Sequence, residues 1–197
     1  MLPRPMPEKD RLAVYDPFCG GGTLLAVLGF LAGEAIGSLT GSDLDETVLE
    51  TAKQNLGLLS RNGLAERRAH LQDLFDLYHK PSHREAVESA DRLAARLPAL
   101  PVTTRVFAAD ACAPAEGEGV EADIVVTDIP YGRLVTWQGE APDPMPAFMA
   151  RIGSRMAPQG VLAVCASSAQ KLPLFPGWRR LERQKIGKRQ FALYTAG

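Results

Sequence analysis

Short runs dense in aliphatic and β-branched residues alternate along the chain with longer stretches in which apolar positions recur every three or four residues. Residues 11–15, 104–108, 123–127 and 160–165 are such runs, as is 38–41 leading to Asp43, and they predict five strands. Residues 22–32 are apolar on nearly every side, which predicts a buried helix. Asp45 is placed to cap a second helix running to about Leu58, with Val48, Leu49, Ala52 and Leu56 on one face. Residues 180–185 and 190–195 predict a final antiparallel pair turning near Gly187. Alternating strands and helices are the pattern of an α/β fold with a mostly parallel sheet, expected here as one domain over residues 1–197.

One connection is too long for this pattern, because some forty residues separate the second helix from the strand at 104–108. Leu64, Leu71, Leu74, Phe75 and Tyr78 sit at helical spacing before Pro81 breaks the run. Ser82 with Glu85 reads as a capping box opening a further helix that carries Ala86, Val87, Ala90, Leu93, Ala94 and Leu97. Residues 61–100 are therefore expected to form a helical hairpin inserted between the second and third strands. Arg84, Glu88, Arg92 and Arg96 fall on one stripe of it, which fits either a salt-bridged solvent face or a nucleic-acid contact.

Composition narrows the class. The chain has 197 residues, 46% hydrophobic and 23% charged, enough apolar content for a core and too balanced a charge for disorder. Its longest apolar stretch, near residues 24–32, is too short to span a bilayer, and the first residues carry no signal-peptide core, so a cytoplasmic protein without a membrane role is expected. Three widely spaced cysteines without a C-x-x-C pair point to neither disulfide nor metal. The near-zero net charge hides an asymmetry: residues 1–150 hold 13 basic and 22 acidic side chains, residues 151–197 hold 9 basic and 1 acidic. A cationic block of that kind suits a polyanion.

Candidate chemistry begins at residues 14–23, Val-Tyr-Asp-Pro-Phe-Cys-Gly-Gly-Gly-Thr. A strand ending in an acid, a turn without side chains and a helix N-terminus let backbone N–H groups approach a cofactor. The acid argues against a dinucleotide, because Asp16 would repel a pyrophosphate, and Leu25 stands where the dinucleotide fingerprint needs a small residue. The same acid would attract the ammonium of a methionine moiety, which favours S-adenosylmethionine. Asp43, followed by Leu44 at the end of the second strand, can accept from both ribose hydroxyls. Asp110, followed by Ala111, can accept from an adenine amino group or cap a turn.

The strand at 123–127 runs straight into Asp128-Ile129-Pro130-Tyr131, placing a carboxylate, a fixed turn and an aromatic face at the carboxyl edge of the sheet. This resembles the (Asp/Asn)-Pro-Pro-Tyr motif of amino methyltransferases, and residues 16–23 resemble the Asp-Pro-x-Cys-Gly-x-Gly-Thr motif of class I RNA guanine methyltransferases. The chain as a whole is similar to the avilamycin-resistance rRNA methyltransferases of AviRa type, through residues 24–29, 58–60, 80–82, 127–133, 136–137 and 185–189. The resemblance implies a Rossmann-like class I sheet of order 3-2-1-4-5-7-6 and guanine-N2 methylation of large-subunit rRNA by a monomer.

It further implies a cofactor site of Asp16, Pro17, Cys19, Gly20, Gly22, Thr23, Asp43, Leu44, Asp110 and Ala111, with Asp128, Ile129, Pro130 and Tyr131 as the catalytic group. RNA contacts are expected from Arg84, Arg92 and Arg96, from Arg133 and Trp137, and from Arg179, Arg180, Lys188 and Arg189. Two departures stand out: Ile129 replaces the first proline of the motif, and only about ten residues precede the first strand, which implies a truncated start or a more open cofactor site. Two other readings fit the same residues: methylation of a different amino group, DNA adenine N6 or protein glutamine, and RNA binding without catalysis.

Overall fold

The computed structural model describes residues 10–113, 119–129 and 144–197. In chain order its elements are β1 (Leu12–Asp16), α1 (Thr23–Ala32), β2 (Ile36–Asp43), α2 (Glu46–Gly57), α3 (Arg61–Tyr78), α4 (Pro81–Ala94), β3 (Thr103–Ala108), β4 (Ala122–Asp128), α5 (Pro144–Gly153), β5 (Met156–Ser167), β6 (Trp178–Ile186) and β7 (Arg189–Ala196). The strands form one sheet of order β3-β2-β1-β4-β5-β7-β6, the order implied by the family resemblance. Strands β1 to β5 run parallel to their neighbours, and β7 runs antiparallel to β5 and to β6.

Two apolar layers cover the sheet. On one face Leu25 and Ala26 of α1 and Leu49, Ala52 and Leu56 of α2 pack on Val14 and Leu39. On the other face Phe148, Met149 and Ile152 of α5 pack on Tyr15, Val125, Leu162, Val164 and Tyr194. Helix α5 has no counterpart in the sequence reading. Its Pro144 and Pro146 sit in the first turn, where a missing N–H leaves no helical bond unmade.

The helical hairpin is present as α3 and α4, with its own core of Leu64, Leu71, Val87 and Ala90. Its second helix begins differently from the expected capping box. Pro81 takes the first position, and Lys80, with no side-chain cap, stands before it. The expectation that α1 is wholly buried also fails. Leu24, Val27 and Leu31 are exposed, Leu31 by 72%, because the helix lays only its Leu25, Ala26 and Gly29 side on the sheet. Asp45 caps α2 as expected, accepting from the Thr47 N–H at 2.9 Å.

Candidate active site at the carboxyl edge of the sheet

The parallel strands all end on one edge, and strand direction decides which side chains gather there. Asp16, Asp43 and Asp128 are the last residues of β1, β2 and β4, and Asp110 lies two residues beyond β3. Because β7 runs the opposite way, its first residue, Arg189, and the last residue of β6, Ile186, reach the same edge. The turn between them is fixed there by a hydrogen bond from the Ser168 N–H to the Lys188 carbonyl, 2.9 Å.

The glycine turn after β1 is built by backbone need. Gly20 and Gly22 have φ of 49° and 72°, a left-handed conformation unfavourable for residues with a Cβ. A Cβ on Gly22 would also come within 3.1–3.3 Å of Ala52 in α2. The Asn55 side chain of α2 donates to the Gly21 carbonyl at 2.7 Å and anchors the turn from behind. Asp43 faces it from β2: one carboxylate oxygen accepts the Gly20 N–H at 2.9 Å and the other the Asp45 N–H at 3.0 Å. Around Gly20 a Cβ would meet nothing within 4 Å, so the turn is open on that side. At the N-terminus of α1, Gly22 supplies no side-chain cap. A carboxylate held by two N–H groups beside an open glycine turn suits a hydroxylated, cationic cofactor and disfavours a pyrophosphate.

Asp16 is 2% exposed. One of its oxygens accepts the Thr127 hydroxyl at 2.7 Å and the Phe18 N–H at 3.1 Å. Burial pushes its pKa up to about 7 against the opposing effect of those two bonds, with the nearby charges of Asp43 and Asp128 adding to the rise. Cys19, Ala111 and Ile129, expected at the site, turn their side chains into the core, so only their backbone groups can face a ligand. Burial lifts the Cys19 thiol to about 12, which removes it as a nucleophile. Asp110 accepts the Cys112 N–H at 2.8 Å, the turn-capping alternative of its two expected roles. Leu44 and Thr23 stand exposed beside the turn.

Asp128 is exposed at the end of β4 and receives a hydrogen bond from Arg189 Nη1 at 2.6 Å. The same nitrogen lies 3.4 Å from Cys165 Sγ, so the guanidinium crosses β5 to reach the carboxylate. The Ile129 N–H donates to the Cys165 carbonyl at 3.0 Å and continues the sheet one residue past Asp128. Pro130, Tyr131, Arg133 and Trp137 lie outside the described residues.

The other expected RNA contacts divide. Arg179 pairs in register with Thr195, which pairs with Val161, six residues before the carboxyl end of β5, so Arg179 and Arg180 sit at the far end of β6 from that edge. Seven residues of strand separate Arg179 from Ile186, about 23 Å. The Arg180 guanidinium is bound to the Leu172 carbonyl at 2.9 Å, a structural role. In the helical hairpin Arg84 pairs with Glu88, Arg92 donates to Ser89, and Arg68 makes a two-pronged pair with Asp91. Arg96 lies past the end of α4 and is exposed. Among the described residues of β6, β7 and their turn, Lys188 and Arg189 of the expected cations reach the carboxyl edge, joined there by Lys185.

Several residues that shape the site carry no local signal in the sequence. Thr127 reads as one more β-branched strand residue, and Asn55 as one more polar helix position. Tyr15 and Ser42 share a buried hydrogen bond of 2.7 Å under the turn, and Arg155 donates to the Tyr15 hydroxyl at 2.7 Å. Each contact joins strands or helices distant in sequence, which periodicity cannot foresee.

Comparison with known proteins agrees with this geometry. The family described as rRNA methyltransferase AviRa matches residues 4–189. A 23S rRNA (guanine(2535)-N(1))-methyltransferase of Streptomyces viridochromogenes is 36% identical over 200 residues, covering 97% of this chain and 78% of that protein. A solved structure of the rRNA methyltransferase AviRa from the same organism superposes with a TM-score of 0.83 at 35% identity, over 95% of this chain and 78% of that one. TrmN from Thermus thermophilus shares the fold at 15% identity, with a TM-score of 0.57 over 97% of this chain and 46% of its own. No helix among the described residues is long and apolar enough to cross a membrane. By sequence over nearly its whole length, and by the sheet and turn that carry its carboxylates, the chain belongs to the AviRa family of rRNA methyltransferases.

Proposed function

We propose that this protein transfers a methyl group from S-adenosylmethionine to the Watson–Crick edge of a guanine in large-subunit rRNA, at the exocyclic N2 amino group. When bound, S-adenosylmethionine supplies an electrophilic methyl carried on a sulfonium that leaves as a neutral thioether. The residues present fit that cofactor. Asp43 accepts from the ribose hydroxyls while its two N–H bonds keep it oriented, the open turn at Gly20 admits the ligand backbone, and Asp16 attracts the ammonium. Asp110 and the neighbouring Leu44 border the adenine.

The observation that carries the reading is the Asp128–Arg189 pair, 2.6 Å apart at the end of β4. Guanine presents a keto oxygen next to two N–H donors, and a guanidinium beside a carboxylate is its complement. Adenine presents an amino group where Arg189 would meet the keto oxygen, so the pair disfavours the adenine alternative. The N2 lone pair is delocalised into the ring. Asp128 accepts an N–H bond that strengthens as the nitrogen becomes tetrahedral and cationic, and it then takes the released proton. Tyr131, three residues on, supplies a stacking face for the extruded base.

A second reading is methylation at N1, favoured by the name of the Streptomyces relative and by the same pair. There Asp128 removes the N1 proton and Arg189 stabilises the negative charge that moves onto the keto oxygen. An rRNA fragment with inosine at the methylated position decides, since inosine keeps N1–H and lacks the N2 amino group. N2 transfer predicts no methyl incorporation into inosine, and N1 transfer predicts incorporation near the guanine rate. Failure to methylate guanine in any rRNA substrate, with labelled methyl appearing in DNA or protein instead, sinks both.

A further inference from the structure

We infer that the sheet face at the β7–β6 end of the carboxyl edge is a stacking platform for RNA, on which Phe191 receives an unpaired base adjacent to the target guanine and Ile186 covers its outer side. The inference rests on the reading of RNA as the substrate.

The register of four strands builds this surface. Asp128 pairs with Cys165, Cys165 with Phe191, and Phe191 with Gln184, so these four lie in one row across β4, β5, β7 and β6. Residues paired in register point to the same face of a sheet. Phe191 therefore shares the face of Asp128, two strand spacings or about 10 Å away. One step nearer the edge, Ser167, Arg189 and Ile186 form the next row on that face. The opposite face of these strands, Val164, Ala166, Ala192 and Tyr194, is buried. On the Asp128 face Phe191 is 39% exposed and Ile186 is 58% exposed. Two large apolar side chains stand open beside a carboxylate that the fold places at its reaction edge.

Charge identifies the occupant. Arg189 lies on this face and Lys188 is exposed in the Gly187–Lys188 turn at its edge, with no acidic side chain following them in the chain. Lys185, exposed next to Ile186, reaches the same edge from the opposite face, where Arg183 also points. A second copy docking through this patch about a two-fold axis would bring the same cations face to face. A nucleic acid offers what the patch lacks: a planar base for Phe191, and phosphates for Lys188 at the turn and for Lys185 where the strand passes over the edge. The platform is also rigid. Gln190, fully buried, donates to the Ser167 and Gln170 carbonyls at 2.7 and 2.6 Å and accepts from Arg183, which locks the start of β7 against the end of β5.

The experiment measures binding of an rRNA fragment containing the methylated guanine, together with single-turnover methyl transfer, for the full chain and for Phe191→Ala, Phe191→Trp and Ile186→Asp. Loss of the platform is expected to weaken RNA binding roughly five- to 150-fold in Phe191→Ala, the range for one stacked base. The transfer rate at saturating RNA should stay within about twofold, as should cofactor affinity. Phe191→Trp should bind like the parent, and Ile186→Asp should lose affinity without loss of melting temperature. Equal RNA binding by the parent and Phe191→Ala overturns the platform while leaving the methyltransferase reading intact. A change in sedimentation on Phe191→Ala with unchanged RNA affinity overturns it in favour of a second copy. A parent that binds and methylates no rRNA overturns the inference together with the reading beneath it.

Discussion

Over β2, β1 and β4 the carboxyl edge presents Asp43, Asp16 and Asp128, whereas over β7 and β6 the same edge presents Arg189, Lys188 and Lys185. Asp43 and Asp16 are held from beneath by backbone N–H groups and by Thr127; Lys185 and Lys188 stand in solvent at the β-turn, and Arg189 reaches back to Asp128. Each half matches one ligand: carboxylates on short, fixed bonds for a cationic, hydroxylated cofactor, and flexible exposed cations for a phosphate backbone. They meet at Asp128 and Arg189, where the proposed reaction would bring methyl donor and RNA base together. The helical hairpin differs from both. Arg68 and Arg84 are paired with acids within the hairpin and Arg92 is bound to Ser89, so its stripe is the salt-bridged solvent face in part.

The comparison breaks most visibly at the junction. Asp128→Ala should lower the single-turnover methyl-transfer rate by roughly 10²–10⁴-fold, the range for a positioned proton acceptor, while cofactor and RNA affinities stay within about twofold. An active Asp128→Ala, or one whose melting temperature collapses, would mean the carboxylate only terminates β4. Within the acidic half, Asp43→Ala should weaken S-adenosylmethionine binding in calorimetry by roughly 1.5–3 kcal/mol, the range for hydrogen bonds to a charged group. Affinity equal to the parent's removes Asp43 from the cofactor site.

Asp16 adds a pH dependence to that half. Its folded pKa, about 7, lies above the ordinary value of 3.8, so the empty protein holds a proton there that the unfolded chain has released. Its contribution to stability is therefore full below the ordinary value, falls as pH rises toward about 7 and is level above it. Cofactor ammonium favours the ionised form, so affinity should rise as pH increases through about 7, with a proton released on binding. Calorimetry in buffers of different ionisation enthalpy counts that proton, and Asp16→Asn should flatten the profile.

The smallest effects separate the cationic regions. Reversing Lys185 and Lys188 should lower the salt dependence of RNA binding by about two phosphate contacts, whereas reversing Arg179 and Arg180 or Arg92 and Arg96 should change it by less than one. An equal loss from the Arg92 and Arg96 reversal would restore the helical hairpin as an RNA arm.

The strands, the inserted hairpin and the glycine turn were all legible in the sequence because each is local: a run, a period of 3.6, or three glycines after an acid; the order of the strands is not local and came from the family resemblance. Asp43 and Asp128 were legible because strand ends in a parallel sheet share one edge. The cationic block was legible only as a block. Its split into a working end at Lys188 and Arg189 and a remote end at Arg179 and Arg180 depends on β6 and β7 running antiparallel to each other over eight or nine residues, which converts neighbours in charge into neighbours of opposite edges. Arg180 illustrates the rest, since a carbonyl at Leu172 absorbs its hydrogen-bonding capacity and no composition count registers that. The exposure of α1 was misread because an all-apolar helix gives no sign of which side meets the sheet.

Strand β6 closes the sheet at one side, and among the described residues no strand pairs with its outer backbone. Unpaired N–H and C=O groups in that position invite another chain to add itself, and charged side chains are the usual protection. Arg179, Arg180, Glu182, Arg183 and Lys185 supply that protection along the whole strand. By that rule the same charges oppose edge-to-edge polymerisation. Variants that neutralise them should be compared in solubility and light scattering before any lost activity is ascribed to RNA.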